Sequence, residues 1–322
     1  ALDGISMKAF IATSDGLKLV DKPRPEPQAH EILVRTCAIG VNRIDLHTLS
    51  APAEQIVGME WSGEIVAVGA QAKGFMVGDR VMGTGPAAYA EYVVTDYGRA
   101  VPVLDDQMDW GQAAAFTLGL QTMHDALVTR GRLKGGETVL MQGAASVMGL
   151  IGMQIARALG AGMVLGTSGD ARRRENLKKF GCDVAIDSQQ ENWSKDVLEA
   201  TSGRGADIVI DNVSGTAFTQ CMAAAALEGR LVNVGRLGGA TAPFDFNLHA
   251  LRRLEFIGVT FRTRSMEQIR SLNALMLKDL HPLLARGKLQ VPIAGRFKFS
   301  QAEQALDALK RSEHFGKLVL EL

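Results

Sequence analysis

The residues best suited to carry chemistry stand between Glu137 and Gly152. A strand-like run from Thr138 to Met141 leads through Gly143, Ala144, Ala145 and Ser146 into an apolar helical stretch that opens with Val147, Met148 and Gly149. Small side chains let a backbone approach a pyrophosphate, and the free N–H groups and dipole at a helix start favour its negative charge. Gly143 through Gly149 are therefore candidate cofactor residues. The spacing departs from a strict GxGxxG, and a βαβ crossover holding no nucleotide would show the same turn.

The end of the next strand decides which dinucleotide fits. An acid about 20 residues beyond the glycines accepts the ribose 2′-OH of NAD, whereas an arginine there accommodates a 2′-phosphate. Here Ser168 and Gly169 are followed by Asp170 and then Arg172, Arg173 and Arg174. Ser168, Arg172 and Arg173 are the candidates for this contact, and NADPH is preferred. Asp170 keeps NAD(H) open, and a solvated basic helix face is the plain alternative.

Other chemistries lack their residues. Tyr89, Tyr92 and Tyr97 are followed four positions later by Val93, Asp96 and Val101, so no Tyr-x-x-x-Lys pair exists. There is no GxSxG elbow and no GxxxxGK[ST] loop. The six histidines, His47 among them, show no HxxxH spacing.

These residues need a scaffold. Up to about residue 100 the chain reads as short strands punctuated by Gly and Pro: Lys8 to Ala12, Leu17 to Asp21, Glu31 to Ile39, Ser62 to Val68, Arg80 to Met82 and Ala88 to Val94. From about Trp110, strands and helices alternate. Strands are expected at Thr138 to Met141, Met163 to Thr167, Val184 to Ile186, Asp207 to Asp211, Arg230 to Val234 and Phe256 to Val259. Helices are expected at Val147 to Leu159, Ala171 to Phe180, Trp193 to Ala200 and Gly215 to Leu227. Such alternation predicts an α/β, doubly wound parallel sheet. A helix at Met266 to Ala285, a strand, a helix near Ala302 to Arg311 and a final strand from Lys317 to Glu321 close the chain.

At 322 residues, with roughly 150 per domain as a guide, two domains are expected. The 35 Lys+Arg balance 35 Asp+Glu, so no global field draws nucleic acid or an anionic membrane, and neither is expected as a partner. Three cysteines without CxxC spacing cannot build a disulfide framework or a four-thiolate zinc site, which fits cytoplasmic residence. The uncharged stretch from Thr138 to Ala156 holds Gln142, Ser146, Gln154 and several glycines, and suits a buried strand, turn and helix better than a membrane span. Ala1 to Ser6, short and carrying Asp3, is not expected to be a secretory leader.

Ordered motifs from Met7 to Leu322 resemble one family. Gly40, Asn42 and Asp45 are similar to a GxNxxD segment, and Gly58, Glu60, Gly63 and Gly69 to PGxExxGxVxxVG. Gly78 to Val81 is similar to GDRV, and Ala88 to Tyr92 to AYAEY. Thr117 to Thr122 is similar to TGLTA, Gly143 to Ser146 to GAASGVG, and Gly316 to Val319 to the closing GKxV. In this order they resemble the zinc-independent quinone oxidoreductase and enoyl reductase branch of the medium-chain dehydrogenase/reductase superfamily.

The resemblance implies a GroES-like catalytic domain, residues 1–120 plus 263–322, with an inserted Rossmann domain, residues 121–262, and NADPH in the cleft between them. Homodimers joined through the Rossmann sheet edge are implied too. It adds Asn212, Val234, Gly235 and Lys317 to the cofactor residues. Zinc-dependent relatives carry a cysteine at the position of Asn42 and a histidine at that of Met59, so no metal is expected. The implied reaction is hydride transfer from NADPH to a quinone or an α,β-unsaturated carbonyl or enoyl substrate, a small electrophile. An NAD(P)-linked alcohol dehydrogenase and a non-enzymatic dinucleotide- or RNA-binding relative are the alternatives.

Asn42, His47 and Thr122 are the catalytic candidates. Asn42 is expected beside the nicotinamide or substrate, or else as the cap of the helix containing Asp45. His47 stands where relatives often carry tyrosine and is a candidate donor to the substrate, its ordinary pKa lying near neutrality. Thr122 is expected at the nicotinamide amide or ribose. Glu60 is expected to pair with an arginine, and Asp45 to be a turn or structural acid. The short stretch from Asp45 to Gly58 is expected to leave one wall of the substrate cleft open.

Overall fold

The structure, a computed structural model, describes residues 5–103 and 108–322. Residues 1–4, most of the Ala1 to Ser6 segment, lie outside the described residues. The chain forms two compact units, residues 1–118 with 265–322 and residues 119–264.

The first unit opens with an antiparallel hairpin of β1 (Ser6–Thr13) and β2 (Gly16–Pro23). There follow β3 (Glu31–Gly40), β4 (Glu60–Val68), β5 (Arg80–Thr84), β6 (Tyr92–Asp96) and β7 (Ala100–Pro102). Ile32, Val34, Ile39, Trp61, Ile65 and Tyr89 fill its core. The expected strand over Ala88 to Val94 starts only at Tyr92. Before it, Ala87 has φ +67°, and the Tyr89 backbone divides its hydrogen bonds, its N–H donating to Val57 and its carbonyl accepting from Phe10. Two partners on different segments leave no continuous ladder there.

The second unit holds β8 (Thr138–Gln142), β9 (Met163–Ser168), β10 (Val184–Asp187), β11 (Ala206–Asp211), β12 (Ala225–Asn233) and β13 (Glu255–Gly258). All pairs are parallel and the order is β10-β9-β8-β11-β12-β13, so the strand order reverses between β8 and β11. Ligands of doubly wound sheets bind beyond the carboxyl ends of the strands at such a reversal. The helix Val147–Ala158 is buried without a break from Gly149 to Ala156, which explains its apolar character all round.

Another boundary departs from expectation. The helix expected to Leu227 ends at Ala224, and β12 begins at Ala225 rather than at Arg230. The cause lies at Arg252, whose guanidinium donates to the carbonyls of Met222, Ala223 and Ala225. It satisfies the helix end from a distant residue, which no local cap could have announced.

Finally β14 (Ile293–Lys298) and β15 (Lys317–Glu321) join the first unit, in the order β14-β15-β3-β4-β5-β7 with β6 also on β3. Val319 lies opposite Gly40, and this register delivers Lys317 to the segment around Asn42. Among the described residues no helix is long and apolar enough to cross a membrane.

Candidate active site

In the second unit the turn after β8 is shaped by two glycines. Gly143 has φ +77°, a conformation that L side chains rarely adopt. At Gly149 a Cβ would lie 2.4 Å from the Gly143 carbonyl oxygen, so the helix can sit this close to the turn only without a side chain. Beneath them lies a buried polar pair, Gln142 and Thr167, joined through the Thr167 hydroxyl.

The turn's N–H groups divide their labour. Gly143 donates to Thr167 Oγ1 at 3.0 Å, Ala144 to the Thr167 carbonyl at 2.9 Å and Ser146 to the Gly143 carbonyl at 3.4 Å. Ser146 caps the helix by accepting the Gly149 N–H at 3.1 Å. The first two helical N–H groups, of Val147 and Met148, stand at the start of a 12-residue helix, where an anion fits. Gly143, Ala144 and Gly149 thus shape the turn, and Val147 and Met148 offer the charge.

Ser168 ends β9. Asp170 caps the following helix, Ala171–Asn176, its carboxylate accepting the Arg173 N–H at 2.9 Å; that bond holds its pKa below the usual range. Arg174 turns back, donating to the Ser168 carbonyl at 2.8 Å and pairing with Asp187 at 3.1 Å. Arg172 and Arg173 stand in the first turn of the same helix, Arg172 exposed and Arg173 partly exposed. Asn212 joins the same end of the sheet, its amide donating to the Gln142 carbonyl at 2.9 Å. Val234 and Gly235, after β12, donate to the Asp211 carbonyl. Thr122, partly exposed, lies in this unit on the helix Thr117–His124.

The first unit gathers a buried polar cluster around Asn42. The Asn42 amide donates to Glu60 Oε1 at 3.0 Å and to the Gly40 carbonyl at 3.3 Å, and its Oδ1 accepts from Lys317 Nζ at 2.7 Å. Lys317 also donates to Glu60 Oε1 at 2.6 Å, while Glu60 Oε2 accepts the Leu118 N–H at 2.9 Å. The partner of Glu60 is therefore Lys317 and not an arginine. Lys317, given above to the cofactor, is only 3% exposed and spends its ammonium on this cluster. Asn42 occupies the cap position of the helix Arg43–Ser50, but its side chain serves Glu60 and Lys317 instead.

Asp45 is wholly buried. Its Oδ2 accepts from the Asn42 N–H at 2.9 Å and the Tyr89 hydroxyl at 2.7 Å, and its Oδ1 has no partner. Burial pushes its pKa up to about 7, against the opposing pull of these two donors. Burial likewise raises the Tyr89 phenol well above its ordinary value. His47 is exposed on the same helix, one turn from Asn42.

A catalytic zinc does not fit this donor set. Met59 offers a thioether, the Asn42 amide is committed on both sides, and Glu60 has both oxygens engaged with an ammonium already beside one of them. Among the described residues no group of three His, Cys, Asp or Glu side chains is placed to hold a metal.

Residues 28–105 match the family "Alcohol dehydrogenase GroES-like domain", and residues 147–277 match "Zinc-binding dehydrogenase". A quinone oxidoreductase of Pseudomonas aeruginosa is 34% identical over 94% of this chain and 95% of its own length. A phenolphthiocerol/phthiocerol polyketide synthase subunit of Mycobacterium tuberculosis is 27% identical over 96% of this chain, which spans only 14% of that synthase. Among solved structures, Escherichia coli quinone oxidoreductase complexed with NADPH superimposes with a TM-score of 0.86 at 25% identity, covering 98% of this chain and all of the other. The α/β fold, with its GroES-like portion and its parallel Rossmann sheet, is the fold of these relatives. The chain belongs to the medium-chain dehydrogenase/reductase superfamily of oxidoreductases, in its quinone oxidoreductase and enoyl reductase branch.

Proposed function

We propose that this chain is an NADPH-dependent, metal-free reductase that delivers hydride to a quinone or to the β-carbon of an α,β-unsaturated carbonyl or enoyl substrate. The observation that carries the reading is the Gly143–Gly149 turn, with the Val147 and Met148 N–H groups open to a pyrophosphate and Arg172 and Arg173 following β9. The NADPH complex of the Escherichia coli relative supports the choice of dinucleotide, as does the commitment of Asp170 to a helix cap.

When bound, NADPH supplies the hydride, and a proton completes the reduction. Val147 and Met148 hold the pyrophosphate, and Arg172 and Arg173 hold the 2′-phosphate. Asn42 has spent both amide hydrogens, so it serves as an acceptor through the remaining lone pair of Oδ1. A donor to developing negative charge on the substrate oxygen must come from elsewhere. His47, exposed, and the Thr122 hydroxyl are the candidates. Two copies pair through the β13 edge and the neighbouring helix Phe246–Arg252, whose His249 stacks on Phe256 of β13 and whose Phe246 and Leu251 are about three-quarters exposed. Size exclusion at the mass of a single 34.5 kDa chain would remove the dimer.

Purified protein is expected to enhance or shift NADPH fluorescence and to oxidise NADPH only when a quinone, enone or enoyl thioester is added. Absence of binding to NADPH and NADH at millimolar concentration would end this reading. The preferred acceptor in such a panel names the substrate class.

A further inference from the structure

We infer that Asp211 is a positioning residue that locks two loops into the wall meeting the nicotinamide half of the dinucleotide. This rests on the dinucleotide reading above. Arg172 and Arg173 follow β9, on one side of the reversal between β8 and β11. A dinucleotide whose adenosine phosphate reaches them, and whose pyrophosphate sits at the turn after β8, extends its other nucleotide over the ends of β11 and β12.

Asp211 stands beneath both of those ends. Its Oδ1 accepts the N–H groups of Val213 at 2.9 Å and Ser214 at 2.8 Å. Its backbone carbonyl accepts those of Val234 at 3.0 Å and Gly235 at 3.1 Å. One residue thereby fixes four N–H groups, two on each loop.

The loops then clasp one another. Ser214 Oγ donates to the Gly235 carbonyl at 2.7 Å, and the Gly238 N–H donates to the Val213 carbonyl at 2.7 Å. A Cβ on Gly215 would lie 2.0 Å from the Gly238 carbonyl oxygen, so the backbones approach as closely as glycine permits. Ser214 adopts φ +57° and ψ −151°, a conformation that persists only where its surroundings enforce it. The Asp211 carboxylate is the enforcing group. At 3% exposure it lies under the loops and acts through them on the cofactor.

The test uses Asp211→Ala and, because that variant can lose its fold, Asp211→Ser, whose shorter side chain cannot reach both N–H groups; Ser214→Ala, which removes the hydroxyl's bonds to the Gly235 carbonyl and Asn233 and leaves the carboxylate in place, probes the clasp separately. Dissociation constants are measured for NADPH and for 2′,5′-ADP, which carries the adenosine half alone. Asp211→Ala is expected to weaken NADPH about tenfold and Ser214→Ala about threefold, with 2′,5′-ADP held within about twofold in both. Equal weakening of both probes shows general loosening and overturns the inference, as do unchanged constants. If Asp211→Ala does not fold, Asp211→Ser takes its place under the same criterion. Wild-type protein that binds neither probe would remove the dinucleotide reading itself, an outcome distinct from variants that bind like wild type.

Discussion

Lys317 and Asn42 lie 275 positions apart, yet the Lys317 ammonium donates to Asn42 Oδ1 at 2.7 Å. An ammonium has only hydrogens to give and an ionised carboxylate only lone pairs, so Lys317 and Glu60 together permit one orientation of the Asn42 amide. The pair is buried, with Glu60 fully covered. Removing one partner of such a pair leaves a charge without compensation and costs about 3–5 kcal/mol. Lys317→Met is expected to destabilise by that order in urea unfolding. Adding Glu60→Gln should then restore part of the loss, because the stranded carboxylate is gone. Strict additivity of the two substitutions would show that the pair is not coupled.

Asp45 gives the fold a pH dependence of unusual sign. Its pKa of about 7 in the folded chain lies above the ordinary 3.8 because burial disfavours the anion. Between those values the folded state binds more protons than the unfolded one, so stability falls as pH rises through this window and levels off above it. Asp45→Asn is neutral at every pH and presents an oxygen to Asn42 and Tyr89. Relative to the wild type it should gain roughly 2–4 kcal/mol between pH 4 and 8. Parallel melting-temperature profiles of the two proteins over that range would refute the assignment.

Close packing at Gly149, and not glycine content as such, shapes the turn. Gly149→Ala places a methyl 2.4 Å from a backbone oxygen and 2.6 Å from the Ala144 Cα, where only the turn itself can move. NADPH affinity is expected to fall by about tenfold or more, since the displaced N–H groups no longer converge on the pyrophosphate. Gly135, where a Cβ meets nothing within 4 Å, provides the control. Equal effects of Gly149→Ala and Gly135→Ala on the NADPH dissociation constant would contradict this account of the turn.

The parallel sheet and the Gly143–Gly149 turn were legible because their signals are local. Alternating strand and helix patterns and small residues at a strand-to-helix junction follow directly from backbone requirements. Most of the cluster around Asn42 was not legible. The sequence reads Asp45 as a turn or structural acid, and it does accept the Asn42 N–H, but its burial and its bond to Tyr89 depend on a partner 44 positions away. Lys317 resembled a cofactor residue by motif, while its actual partners are set by the pairing of β15 with β3. The boundary missed near Ala224 has the same origin, since Arg252 acts from 27 to 30 residues away. Asp211 was read only as the end of a strand, because nothing in its neighbours reveals that four N–H groups converge on it.

Cofactor preference supplies the sharpest test of the arginine triplet. Arg174 is tied to Ser168 and Asp187, so its loss should disturb the end of β9 for either dinucleotide alike. Arg172 and Arg173 stand in the first turn of the helix, exposed and partly exposed, and a guanidinium there can interact with a 2′-phosphate that NADH lacks. Arg173→Ala is therefore expected to weaken NADPH about tenfold while leaving NADH within about twofold, and Arg174→Ala to weaken both by similar factors. Fluorescence titration of both dinucleotides against each variant reads the difference. An Arg173→Ala protein that keeps its full preference for NADPH would return the arginines to the role of a solvated helix face. Recognition of the 2′-phosphate would then have to come from another group at the end of β9.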